Sequence, residues 1–104
     1  MSTFSHLSVA EANVLLQQQP AAAVVDIRDE MSFQQGHIEN AQRLDNGNVG
    51  TFIVAADKSV PLIVCCYHGI SSQNAAQFFA EQGFTAVYSL DGGFEAWRSA
   101  FPSA

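Results

Sequence analysis

Apolar residues in this chain fall into short continuous runs, separated by stretches with helical spacing. Ser8-Val9-Ala10-Glu11 has the form of a capping box, with Ser8 as N-cap and Glu11 at the third helical position. It opens a helix through about Gln18, and Pro20 follows the stop. Ala21 to Ile27 reads as an apolar strand ending in Asp26-Ile27-Arg28. Asp29 caps a short helix through Gln35, terminated by Gly36. Ala41 to Leu44 is a weak strand. Asp45 to Asp57 places Val49, Phe52, Ile53 and Ala56 at helical spacing, despite Gly47 and Gly50. Val60 to Cys65 is the central strand, Gln73 to Gln82 a helix closed by Gly83, and Thr85 to Leu90 the next strand. Asp91-Gly92-Gly93 turns the chain into a last helix, Phe94 to Ser99, before Pro102. Phe94 and Trp97 stand three apart on that helix and are expected in the core.

Strands written as continuous apolar runs are covered on both faces. Alternating with helices, they predict an α/β fold with a mostly parallel sheet and helices on both faces. Sites in such sheets form outside the carboxyl ends of the strands. Cys66 stands at such an end, followed by a short polar loop and a helix start.

The bulk composition narrows the possibilities. At 104 residues there is room for one domain, 1–104, with a modest core. Hydrophobic content of 48% argues against disorder. No apolar run approaches the length of a membrane span, so no membrane partner is expected. The start, Met1-Ser2-Thr3-Phe4-Ser5-His6, has neither the charged nor the apolar segment of a secretory leader, which makes the cytoplasm the default location. Net charge is −6, with Arg28, Arg43, Lys58 and Arg98 as the permanent cations. That balance disfavours nucleic acid, and any attraction for an anionic substrate must be local. The two cysteines are adjacent, and the ring that would join them is strained. Free thiols are expected, as in a reducing compartment.

The candidate chemistry concentrates in Cys66-Tyr67-His68-Gly69-Ile70-Ser71-Ser72. Free backbone N–H groups at a helix start attract anions and favour a thiolate over a thiol. Cys65 lies within the apolar run and reads as core, whereas Cys66 reads as a nucleophile. Adjacent strand residues point to opposite faces, which separates Cys65 from Cys66 and argues against a metal site with His68. His68 is either an oriented cation beside the thiolate or a plain loop side chain. Gly69 supplies the freedom for a tight curl. Ser71 and Ser72 are expected to cap the following helix, the alternative being that their hydroxyls donate to a sulfur or an oxyanion. Asp26 and Arg28 are expected to form a structural salt bridge. A phosphatase-type Cys-x5-Arg clamp is ruled out, because the sixth residue after Cys66 is Ser72.

Three segments together resemble the single-domain rhodaneses. The loop Cys66 to Ser72 is similar to their active-site loop. Val25-Asp26-Ile27-Arg28 through Phe33-Gln34-Gln35-Gly36-His37-Ile38 resembles their first signature, and Asp91-Gly92-Gly93-Phe94-Glu95-Ala96-Trp97 their second. The resemblance runs from about Ser5 to Pro102. It implies five strands with helices on both faces. It also implies a thiosulfate sulfurtransferase in which Cys66 takes the outer sulfur of thiosulfate, releases sulfite and holds a persulfide. The backbone of Tyr67, His68, Gly69, Ile70, Ser71 and Ser72 would cradle that persulfide. The implied acceptor is cyanide or a dithiol such as thioredoxin, and no cofactor is implied. A persulfide carrier or regulatory binding domain, charged by a partner protein, is the alternative. Gln73 stands where relatives often have a basic residue, Asn40 where glycine is common, and Ile70 where a polar residue is usual.

Overall fold

A computed structural model describes residues 3–102. The chain runs β1 (Ser5–Leu7), α1 (Val9–Gln18), β2 (Ala23–Asp26), α2 (Glu30–Gln35), β3 (Gln42–Arg43), α3 (Val49–Ala55), β4 (Leu62–Cys65), α4 (Ser71–Glu81), β5 (Val87–Leu90) and α5 (Gly93–Ala100). The strands form one sheet in the order β1-β5-β4-β2-β3. Every pairing in it is parallel.

β4 lies at the centre, and its four residues are all buried. Its side chains alternate between two cores. Leu62 and Val64 join Ala76, Phe79 and Ala80 of α4 and Phe52 and Ile53 of α3. Ile63 and Cys65 join Ala12 and Leu16 of α1 and Phe94 and Trp97 of α5. The sheet is therefore covered on both faces, as continuous apolar strands require. The Ser8 box is formed in full: Glu11 N–H donates to Ser8 Oγ, and Ser8 N–H to Glu11 Oε1. Asp29 caps α2 by accepting from the Ser32 amide.

Three expectations need correction. β1 has no counterpart among the predicted strands. It is three residues long, mostly exposed, and gains its strand geometry by pairing with β5 at the sheet edge. The helix expected over Asp45 to Asp57 is shorter, because the Asp45 carboxylate accepts from the Gly47 and Asn48 amides and makes a turn of that segment. Neither Ser71 nor Ser72 is the cap of α4. That position belongs to Ile70, which offers no side-chain acceptor. Asn40 adopts φ +67°, the left-handed conformation that asparagine tolerates and glycine favours.

Candidate active site

The loop 66–70 leaves β4 at its carboxyl end and enters α4. The absence of a capping side chain at Ile70 leaves the first amides of α4 without their usual partner. One of them, Ser72 N–H, points at Cys66 Sγ at 3.3 Å, and Gly69 N–H reaches the same sulfur at 3.2 Å. The sulfur thus takes the place of the cap.

Burial is the largest single influence on the Cys66 thiol, and it opposes ionisation. The Ser72 hydroxyl and the backbone amides of Ser72, Gly69 and His68 act against it and prevail, so the thiol lies below its ordinary value. Cys65 shows the opposite balance. Burial pushes its thiol up, the Asp26 carboxylate adds to the effect, and Arg28 only partly offsets it. Both residues are buried, Cys66 to 3% exposure, so placement among donors and not access distinguishes them.

A second helix start holds the loop from behind. Phe94 N–H donates to Cys66 O at 2.8 Å and Glu95 N–H to Tyr67 O at 3.2 Å. The α5 amides therefore engage the loop carbonyls, which leaves the loop amides free to face the sulfur. This approach requires glycine. A Cβ at Gly93, which has φ +60°, would lie 2.5 Å from Cys66 O and 2.6 Å from His68 N. Gly69, at φ +85°, would place a Cβ 2.7 Å from Gly92 N. No L side chain fits either position without displacement.

The remaining loop residues have distinct places. Tyr67 turns its hydroxyl onto the Asp29 carboxylate at the start of α2, with Ser32 Oγ 3.4 Å away. His68 is exposed, and it is its backbone amide that acts on the sulfur. Ile70 is 74% exposed beside the site. Ser71 is exposed at the first turn of α4, and Ser72 is fully buried beneath the sulfur. The salt bridge expected of Asp26 and Arg28 is present and buried. Arg28 Nη2 lies 2.7 Å from Asp26 Oδ2 and 2.7 Å from Gly36 O. Its guanidinium sits 4.2 Å from the centre of the Phe94 ring, so it joins β2, the end of α2 and the start of α5. Among the described residues, no group of three or more His, Cys, Asp or Glu is placed to hold a metal ion.

Three contributors were not evident from the sequence. Gln73 folds back along α4, and its Nε2 donates to Gly69 O at 2.9 Å. It fastens the curl that aims the Gly69 amide. Ser89 bonds Ser72 from β5. Gly93 admits the loop to α5. A serine inside an apolar strand and a Gly-Gly pair before a helix were the available signals for the last two. Nothing in the pattern marks the side-chain bond of Gln73.

A parallel sheet between two helical layers, with a cysteine held by loop and helix amides at the end of its central strand, defines a rhodanese-like domain. The rhodanese-like domain family matches residues 8–100, and the chain belongs to it. The chain is 59% identical over 102 residues to thiosulfate sulfurtransferase GlpE of Shewanella oneidensis, covering 96% of this chain and 98% of that one. It is 54% identical over 103 residues to the protein of the same name from Ectopseudomonas mendocina, covering 99% and 93% respectively. The fold superposes on the rhodanese-related protein of Thermoplasma volcanium with a TM-score of 0.79 at 20% identity, covering 94% of each chain.

Proposed function

We propose that this chain is a thiosulfate sulfurtransferase, a single domain that works by covalent catalysis through Cys66. The observation that carries this reading is the pair of amides, Gly69 and Ser72, converging on Cys66 Sγ. Family membership and the names of its relatives support the choice of donor. In the first step the Cys66 thiolate attacks the outer sulfur of thiosulfate. The S–S bond of thiosulfate breaks, sulfite departs with the electron pair, and the enzyme holds Cys66–S–S⁻. In the second step cyanide attacks that outer sulfur, thiocyanate leaves, and the Cys66 thiolate is restored. A dithiol attacks in the same way: its first sulfur takes the persulfide sulfur, and its second closes a disulfide and expels hydrosulfide.

The amides of the loop do for the persulfide what an oxyanion hole does for an alkoxide. They were aligned when the protein folded, so stabilising the transferred charge needs no further ordering. They also supply the local attraction that a chain of net charge −6 needs for a dianionic donor. Division into two thiolate-level steps avoids a three-body reaction. No described helix is long and apolar enough to cross a membrane, and free thiols fit the reducing cytoplasm as the site of action.

The deciding experiment supplies purified protein with thiosulfate and cyanide and follows sulfite and thiocyanate together. The proposal expects equal amounts of both over many turnovers. Neither product from folded protein would overturn it. Failure to react with thiosulfate, together with a persulfide formed from a partner protein, would support a sulfur carrier instead.

A further inference from the structure

Two serines face each other behind the sulfur. Ser72 is the second residue of α4, and Ser89 the third residue of β5. Both are at 0% exposure, and their hydroxyl oxygens lie 2.8 Å apart. Ser89 is otherwise part of an apolar strand, between Val87 and Leu90. A buried hydroxyl on a core strand calls for a reason.

Counting protons gives one. The two hydroxyls hold two protons, and the bond between them uses one. Among the described residues, Ser72 is the bonding partner of the Ser89 hydroxyl. If Ser72 donated to Ser89, the Ser89 proton would lie buried with no acceptor. If Ser89 donates to Ser72, the Ser72 proton remains for a third group. The Ser72 amide already sits 3.3 Å from Cys66 Sγ, which makes that sulfur the neighbouring group placed to take the proton. Only this direction uses both protons.

We infer that Ser89 is a positioning residue for the sulfur chemistry: its hydroxyl donates to Ser72 Oγ, and Ser72 in turn donates to Cys66 Sγ. The relay runs from the core of β5 to the nucleophile, and each bond polarises the next. It fixes the Ser72 hydroxyl towards the thiolate before substrate arrives. The inference rests on Cys66 being the reactive sulfur. The ionisable groups around it do not duplicate the relay. Asp26 and Arg28 at the end of β2 pair with each other. Asp91, after β5, bonds His6 of β1. Tyr67 bonds Asp29, the His68 side chain is exposed, and the Cys65 thiol is held neutral by burial.

The test reads the thiolate directly, so it stands apart from sulfur-transfer activity. In a Cys65→Ser background, the rate of iodoacetamide alkylation is measured against pH, with the melting temperature in parallel. Ser72→Ala should slow alkylation about tenfold at a pH below the thiol pKa and move the profile to higher pH. Ser89→Ala should act in the same direction, about two- to threefold. The double variant should match Ser72→Ala alone, because Ser89 acts through Ser72. Ser89→Thr and Ser89→Val carry side chains of nearly one shape, and only the threonine should restore the profile. Ser89→Ala, which removes a single atom, covers the case in which neither larger side chain is accommodated. A Ser89→Ala protein with a lower melting temperature but an unmoved alkylation profile would overturn the inference. So would additive effects in the double variant.

Discussion

Two helix starts meet at the loop that carries Cys66, and they use their amides differently. The start of α4 turns Ser72 N–H onto the cysteine sulfur. The start of α5 turns Phe94 and Glu95 N–H onto the carbonyls of Cys66 and Tyr67. Both are the same physical resource, unsatisfied donors in the first turn of a helix. One bears on the Cys66 sulfur, and the other holds the peptide planes that surround it. The difference teaches that this site has a chemical half and a structural half, and that damage to each should read out differently.

The change with the largest expected effect removes the distinction itself. Gly93→Ala places a Cβ against Cys66 O and His68 N and forces a left-handed conformation on alanine. The loop must lift off α5, and its amides then no longer converge. We expect near-complete loss of sulfur transfer and about 3 kcal/mol or more of stability, read by steady-state kinetics and denaturant unfolding. An active, stable Gly93→Ala would break the account of α5 as the seat of the loop.

Arg28→Met strikes the structural half alone. It leaves the Asp26 carboxylate buried without its partner and removes the guanidinium from the Phe94 ring. Loss of one member of a buried pair costs about 3–5 kcal/mol. The unfolding midpoint should fall strongly, while the protein that remains folded keeps most of its kcat.

Gln73→Met tests the chemical half at one remove. It keeps the length of the side chain and deletes the donor to Gly69 O. The Gly69 amide should lose alignment, and kcat/KM for thiosulfate should drop about fivefold, equivalent to about 1 kcal/mol. The melting temperature should barely change.

The smallest effect is in pH-dependent stability. The Cys66 thiol is lowered from an ordinary value of 9.0 in the folded state. A group depressed in this way adds stability that is fully present above the unfolded value and lost as pH falls through the folded one. Compared with Cys66→Ala, the wild type should therefore gain stability as pH rises through that interval. Parallel stability curves across this range check it, and a gain on acidification would contradict the role of the sulfur as the cap of α4.

The same contrast explains what the sequence made legible. The central strand and the place of Cys66 at its end were readable, because an apolar run carries them locally. The pairing of Asp26 with Arg28 was readable for the same reason, being two residues apart. β1 was not, since three edge residues gain strand geometry only from β5. Ser72 read as a cap because serine before a helix usually is one. Its hydroxyl instead meets Ser89, seventeen residues away, and the cap position falls to the sulfur. The bond between Gln73 and Gly69 and the seat on Gly93 depend likewise on how the loop folds over.

The central claim is that the amides at the start of α4 make Cys66, and not its neighbour, the carrier of sulfur. Intact-protein mass spectrometry after thiosulfate treatment tests it most directly. Wild type and Cys65→Ser should each gain one sulfur, removable by cyanide, and Cys66→Ser should gain none. A Cys66→Ser protein that still takes up a cyanide-labile sulfur would contradict the account.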